Sequence, residues 1–500
     1  MKTNLIKLTV VGAFFLLSIF SCSISKDLST AIPVVEKKEK VIASSEVTTS
    51  SNTEENWKEE YAYLIGKQAY IYGYPALYYA SLRYGMVENP QGLISMPINT
   101  YYHIRTPALP EHQNGGSPNR DTPYSIAFVD LSKEPIVFTA PEIPDNRYFA
   151  IQLADFYSDV FGYIGKRTTG MKKGNYLITG PNFKGAIPDG FDGTFACPTN
   201  WMFVVSRTYT DASEADLKIV HKIQDEHHLT PLSEWGKQVS NKKENRDVLN
   251  PFPPTDPLGA FKTMNAAMME NPPPARDDAL MTQFAQVGLG SKGTMDLDAL
   301  DESIKKGLKR AIVDGHKFLG KVAKAGGSIT GNNSVINNWF YSPKNWGKCA
   351  ESGDFLGRAS PQAFSGIVEH YIEEAAKLRT FVDENGDPLD AKNKYVLHFT
   401  KAQIPQPKEF WSLTPYDERF NIIANPDRIF SVGSMFPNMK YNEDGSLTIY
   451  LQREKPSTDK IYNWLPTPES GTFNLFLREY IPDEAFITHT YIAPPVKKVN

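Results

Sequence analysis

The chain has 500 residues, 41% of them hydrophobic and 12% aromatic, which is enough to fill the cores of roughly two or three domains. Its 57 acidic residues outnumber 53 basic ones, giving a formal net charge of -4 at pH 7. That balance argues against a nucleic-acid partner, whose phosphates need a basic face.

Met1-Lys2 leads into an apolar run from Leu5 to Phe20, followed by Ser21-Cys22. A basic start, a short apolar core and a small residue before a cysteine describe an export signal, whereas a membrane span needs about 20 apolar residues and different flanks. Ile19-Phe20-Ser21-Cys22 resembles a bacterial lipobox. The resemblance implies a signal peptide at residues 1–22, lipidation of Cys22, and a protein anchored in the cell envelope on the periplasmic or outer-membrane side. Cleavage near Ser21 as an ordinary secretory signal is the alternative. Residues 23–55, rich in Ser, Thr, Lys and Glu, lack the apolar surface needed to order themselves and read as a tether.

Residues 56–210 read as a helix plus a β-sandwich. Trp57, Tyr61, Leu64, Gln68 and Tyr72 recur at helical spacing within Glu54–Tyr84, and Gly73-Tyr74-Pro75 is expected to break or kink that helix. Short β-type runs follow at Pro135–Phe138, Arg147–Leu153, Asn175–Ile178 and Trp201–Val205, separated by Gly, Pro, Asn and Asp turns. The period changes at Ser213, where Ser213-Glu-Ala-Asp216 opens a helix carrying Leu217, Val220 and Ile223. Further helices are expected at 261–269 and 277–287, bracketing Pro272-Pro273-Pro274. The clearest spans the stripe Leu300, Ile304, Leu308, Ile312, Leu319 and Val322. Residues 211–350 thus form a helical insert.

Residues 351–500 return to strands after a helix expected at Gln362–Phe381. The runs are Tyr395–Phe399, Arg428–Val432, Ser446–Leu451 and Thr472–Arg478, with a turn signal at Asn442–Gly445. The fold class is mainly β with a helical middle.

Several motifs carry a family resemblance. Ser117-Pro-Asn-Arg-Asp-Thr-Pro-Tyr124, Val129-Asp-Leu-Ser132, Arg147-Tyr148 and the Gly180-Pro181 turn resemble the domain of unknown function 1254. Phe410-Trp-Ser-Leu-Thr-Pro-Tyr-Asp417, Asp444–Ile449, Asn463–Pro468 and Leu477-Arg-Glu-Tyr-Ile-Pro482 resemble its usual partner, the domain of unknown function 1214. The resemblance implies a β-sandwich, a helical middle and a jelly-roll-like C-terminal domain, and no established activity.

Standard catalytic signatures are mostly missing: the sequence has no Walker loop, no Gly-x-Ser-x-Gly elbow, no zinc helix and no Cys-x-x-Cys pair. Gly288-Leu-Gly290-Ser-Lys-Gly293 has dinucleotide-loop spacing but follows a helix rather than a strand, so it is rejected. Asp225-Glu226-His227-His228 clusters metal-ligand types but reads better as a solvated helix end. No cofactor is called for. Cys197 and Cys349 are either one disulfide or two buried thiols.

Asn119-Arg120-Asp121 stands where a glycine-rich loop becomes a strand. Asp121 is the candidate general base, or the acceptor for a ligand's hydroxyls, with turn capping as the alternative. Arg120 offers a carboxylate fork, or a tie to an acidic residue such as Asp155 or Asp417. Asp121 is expected to face a cavity shared by the sandwich and the C-terminal domain. Aromatics beside polar groups complete the candidate ligand site: Tyr124, Asp155 with Tyr157, Trp411 with Tyr416, and Trp464. Trp411 and Trp464, both flanked by prolines in turns, read better as residues packed between domains. The partners expected are a small polar or aromatic molecule, the membrane through the lipid anchor, and no nucleic acid, with a homo-oligomer left open. A cofactor-independent hydrolase or acid/base enzyme competes with a non-catalytic envelope lipoprotein.

Overall fold

The structure is a computed structural model describing residues 56–88, 96–112, 115–237, 247–325, 334–366, 368–436 and 438–499. The signal peptide, Cys22 and the tether expected at residues 1–55 lie outside the described residues.

Helix α1, Trp57–Val87, begins at Asn56, whose side chain accepts from the Glu59 amide, and runs through Pro75 without the expected break. A proline inside a helix costs about 3 kcal/mol. Here that cost falls where Tyr72, Gly73, Tyr74, Ala76, Tyr78 and Tyr79 are all buried, so packing holds the segment together. The expected large-residue stripe is also corrected. Trp57 and Leu64 are exposed, and the packed face is instead carried by Ala62, Gly66, Ala69 and Gly73. These small residues admit close neighbours: a Cβ on Gly66 would meet Ala311 and Leu308 at 2.9 Å, and one on Gly307 would meet the Glu59 carbonyl at 2.2 Å.

The N-terminal strands are β1 Tyr102–His103, β2 Tyr124–Asp130, β3 Ile136–Ala140, β4 Phe149–Asp155 and β5 Val160–Gly165. They continue as β6 Gly174–Thr179, β7 Gly193–Ala196 and β8 Trp201–Thr208. Helix α2, Glu214–Asp225, starts at Ser213, whose hydroxyl accepts from the Asp216 amide. It leads to β9, His228–Pro231, which pairs with β3. Two sheets result, ordered β1-β2-β8-β4-β5 and β7-β6-β3-β9. Alternation decides their faces. Ala127, Val129, Ile151, Leu153, Met202 and Val204 fill the space between the sheets, while Ile126, Phe128, Phe203 and Val205 point the other way, onto α1.

The helical middle consists of α3 Gly259–Glu270, α4 Asp278–Ala285 and α5 Glu302–Lys324. Leu308, Leu319 and Val322 of the predicted stripe are buried.

The C-terminal unit begins with β10 Val335–Ile336, β11 Trp339–Tyr341 and α6 Phe355–Ser365. The helix expected at Gln362–Phe381 ends at Gly366, in a positive-φ conformation. Ala375–Thr380 is instead strand β12, alternately half-buried and buried, because Ala376, Leu378 and Thr380 fit a period of two. There follow β13 Lys394–Phe399, β14 Phe410–Asp417, β15 Val432–Gly433 and β16 Leu447–Gln452. The last strands are β17 Trp464–Pro466, β18 Phe473–Tyr480 and, after the short helix α7 Glu484–Thr488, β19 Val496–Val499. Only Val432 of the expected Arg428–Val432 strand joins a ladder. The sheets run β10-β11-β12-β18-β14-β15 and β17-β16-β13-β19. Leu378, Leu397, Trp411, Leu413, Ile449, Leu451 and Leu477 belong to the core between them.

Trp411 therefore lies in a strand rather than in the turn its prolines suggested. β15 pairs only with Ser412 and Leu413 of β14, so Pro415 occupies an edge position, where a missing N–H is tolerated. Cys197 and Cys349 are separate buried free thiols.

Candidate functional site

The two β units meet face to face. Tyr148, Ala150, Val160 and Tyr163 of the N-terminal sheet pack on Phe410, Tyr480 and Ile481 of the C-terminal one. Phe410 stacks on Tyr480 with centroids 4.1 Å apart.

The loop before β2 is fastened to this contact. Asp121 Oδ2 accepts from Ser412 Oγ at 2.6 Å and from Tyr480 Oη at 2.9 Å. Asn119 Nδ2 donates to Tyr480 Oη at 2.8 Å, and Asn119 Oδ1 accepts from the Asp121 amide at 2.7 Å. Tyr416 Oη donates to the Pro118 carbonyl at 2.8 Å, and Arg478 Nη2 to the Ser117 carbonyl at 3.1 Å. The Ser117 amide reaches the Phe420 carbonyl at 3.0 Å. Asp121 thus faces the junction of the two β units, inside a hydrogen-bonded contact, with the acceptor oxygen saturated by two hydroxyl donors.

Arg120 does not pair with Asp155 or Asp417. Its guanidinium lies over Phe430, 5.4 Å from the ring centroid, and its buried Nη1 has no partner among the described residues. Both expected carboxylates are engaged by nearby donors: Asp155 by the Tyr157 and Asp159 amides, Asp417 by the Arg419 and Asn421 amides. With Pro123 before it, the strand starts only at Tyr124, so the face alternation does not extend back to Arg120.

Around this contact the sheets present a basic wall. Register places Arg207 opposite both Tyr124 and Ala150, on the face that looks away from the sandwich core. Register also lines up Ser412, Arg478 and Lys377 across β14, β18 and β12, with Thr414, Phe476 and Arg379 in the next row. Arg207 lies 5.0 Å over the Tyr124 ring and donates to Gln152 Oε1 at 2.6 Å. Arg478 lies over Tyr416 and Phe476, and its buried Nη1 has no partner among the described residues. Among the described residues Arg120, Arg207, Arg379 and Arg478 form no ion pair, although Arg207 and Arg478 are only 4% and 9% exposed. Most other arginines of the described chain are matched to a carboxylate, as Arg147 is to Asp145 and Asp216, and Arg358 to Asp159.

Lys377 bonds both oxygens of Glu369 at 3.0 Å. Burial lowers its pKa, and Arg478 and Arg379 push the same way, against Glu369. Its side chain nevertheless keeps 21% of its surface accessible. Tyr124, half-buried, adds a hydroxyl with no partner among the described residues. The half-buried His370 stacks on Tyr163 with rings 6.0 Å apart at 16°. Burial, with Arg207, Lys377 and Arg167, holds its imidazole well below the ordinary pKa.

The remaining candidates lie elsewhere. Tyr157 donates to the Asn271 carbonyl at 2.7 Å beneath the helical layer, and burial together with Asp159 raises the pKa of Asp155. Trp411 is buried between the two C-terminal sheets, 6.0 Å from Phe399. Trp464 is buried on the outer sheet and donates to the Gln452 carbonyl at 2.8 Å. Neither tryptophan reaches the junction. Asp225 pairs with Arg105, and no cluster of three or more metal-ligating side chains occurs among the described residues.

Sequence reasoning missed Arg207, His370, Lys377 and Arg379. Arg207 lies two residues past the end expected for its strand, and the other three fall where a helix was read. Arg478 stood inside a quoted motif. The usable signal was a charged residue within an otherwise apolar central strand, a placement that demands a partner.

Residues 98–231 match the family described as "Protein of unknown function (DUF1254)" and residues 374–484 the family "Protein of unknown function (DUF1214)", the pair the motifs resemble. The fold is similar to that of the VPA0106 protein from Vibrio parahaemolyticus, with a TM-score of 0.67 at 21% identity, covering 88% of this chain and 100% of that one. An uncharacterized protein from Burkholderia cenocepacia aligns with a TM-score of 0.42 at 12% identity, over 89% of this chain and 96% of the other. No curated protein matches the chain.

Proposed function

From a chain that joins a DUF1254 region to a DUF1214 region across a basic, tyrosine-lined junction, we propose that the protein binds a small organic anion between its two β units. The observation that carries this reading is the absence of a carboxylate partner for Arg207 and Arg478, both at least nine-tenths buried. Asp121 acts on Arg478 and Glu374 on Arg207 without an ion-pair contact, and an anionic ligand would add the direct partner that a buried charge otherwise lacks. Asp121 is a positioning residue in this reading: its acceptor oxygen is held by Ser412 and Tyr480, which favours a clamp over a general base. The same proposal includes export and lipid anchoring through Cys22, supported by the apolar run that ends there.

The test is thermal unfolding in acetate, benzoate and inorganic phosphate, each compared with chloride at equal ionic strength. A ligand at a hundred times its Kd stabilises by about 2.7 kcal/mol. At least one anion should raise Tm, and Arg207→Met and Arg478→Met should each remove the rise. No anion-specific rise, or a rise that survives both substitutions, overturns the reading. In that case the junction is a structural interlock, a second reading that the hydrogen bonds of the loop at 117–121 already favour.

A further inference from the structure

Resting on that reading, we infer that the ligand has a second, uncharged acceptor oxygen besides its anionic group. The anion sits between Arg207 and the row of Arg478, Lys377 and Arg379, and the second oxygen takes a hydrogen bond from Nε2–H of His370.

The argument turns on where the imidazole proton lies. Tyr163 Oη accepts from the Tyr371 amide at 3.0 Å and lies 3.2 Å from His370 Nδ1. The phenol has one proton to give, and His370 Nδ1 is the acceptor it meets among the described residues. Nδ1 therefore accepts, and a neutral imidazole must carry its hydrogen on Nε2. Neutrality follows from the surroundings: Arg207, Lys377 and Arg167 oppose a further positive charge on a ring already disfavoured by burial. The ring plane is fixed by its stack on Tyr163. Nε2 has no partner among the described residues, although the side chain is half-buried.

The junction thus joins a neutral, oriented donor to a group of cations. Lys377 connects the two ends, since its charge acts on His370 as well as on Arg478 and Arg379. Donors dominate this surface, so a ligand offering acceptors at both ends satisfies it, whereas an amine or a simple alkyl chain leaves N–H groups unpaired. Keto acids, hydroxy acids and acyl-bearing carboxylates or phosphates have this chemistry.

The experiment is calorimetric titration of the full chain with 2-oxobutyrate, 4-oxopentanoate and 5-oxohexanoate, each against its unsubstituted parent acid. At least one keto acid should bind about tenfold tighter than its parent, the share of one buried hydrogen bond. His370→Phe, which keeps a ring against Tyr163, should abolish that preference while parent acids still bind. His370→Gln, which restores an N–H donor, should recover part of it. Tyr163→Phe leaves His370 in place but frees its tautomer, and should weaken the preference even if the His370 variants fold poorly. Carboxylates that bind with no keto preference, or a preference unchanged in both His370→Phe and Tyr163→Phe, overturn this inference and leave the anion site standing. Failure of every acid to bind overturns both.

Discussion

Replacing Asp121 with asparagine isolates what this carboxylate does, because the side chain keeps its shape and loses its charge. In the native junction Ser412 Oγ and Tyr480 Oη both donate to Asp121 Oδ2, at 2.6 and 2.9 Å. Hydrogen bonds to a charged group contribute about 1.5–3 kcal/mol each, and neutral ones about 0.5–1.5 kcal/mol. An amide oxygen in the same place keeps the two bonds in their neutral form, so the difference over both is about 2–3 kcal/mol. The new NH2 group also needs acceptors beside Arg478 and Asn119, where donors already predominate. Asp121→Asn should therefore lower stability by about 2–3 kcal/mol, read as a lower midpoint in urea and a Tm reduced by several degrees at pH 7. Asp121→Ala should cost more, since both hydroxyls then lose their acceptor. A Tm for Asp121→Asn within about one degree of wild type would refute the clamp, and would return Asp121 to the role of a reactive group free of structural duty.

Two further outcomes are expected. Glu479 is fully buried, neither of its oxygens has a hydrogen-bond partner among the described residues, and burial, with Asp483 nearby, raises its pKa from 4.5 to about 9. An acid raised in this way adds stability that is complete below its ordinary pKa and is lost as pH climbs towards 9. Wild type should thus weaken between about pH 5 and 9 by a few kcal/mol more than Glu479→Gln, and parallel urea midpoints at about pH 5, 7 and 9 for the two proteins would contradict this. Cys22→Ser should move the protein from the detergent-extracted membrane fraction to the soluble one without changing Tm; a variant that stays with the membranes would count against the lipid anchor.

Strands were legible from residue types alone at Trp201–Val205, an apolar run buried on both faces, and at Ser446–Leu451, whose burial alternates from Leu447 on. So was the long stripe from Leu308 to Val322, whose period fits only a helix. Local chemistry misled where packing outweighed it: Pro75 sits inside a helix because its surroundings are buried on every side, and Ala375–Thr380 is a strand because β18 lies beside it.

The junction was half visible. Asn119, Arg120, Asp121, Tyr124 and Tyr416 stood out as polar and aromatic residues of interest, because charge beside glycine and proline at a strand entry is unusual in any fold. The partners of Asp121 lie 291 and 359 residues away, at Ser412 and Tyr480. Only β14–β18 pairing and the stacking of two sheets bring those groups to one place. The same holds for the basic wall. Arg207, Lys377, Arg379 and Arg478 look like ordinary charged residues along their own strands; register turns Lys377, Arg379 and Arg478 onto one face of the C-terminal sheet and Arg207 onto the outer face of the N-terminal one, and among the described residues only Lys377 of the four meets a carboxylate, Glu369. Local sequence sets each residue's charge and periodicity, but whether a charge meets an opposite one depends on contacts between distant segments, and those exist only once the sheets have packed.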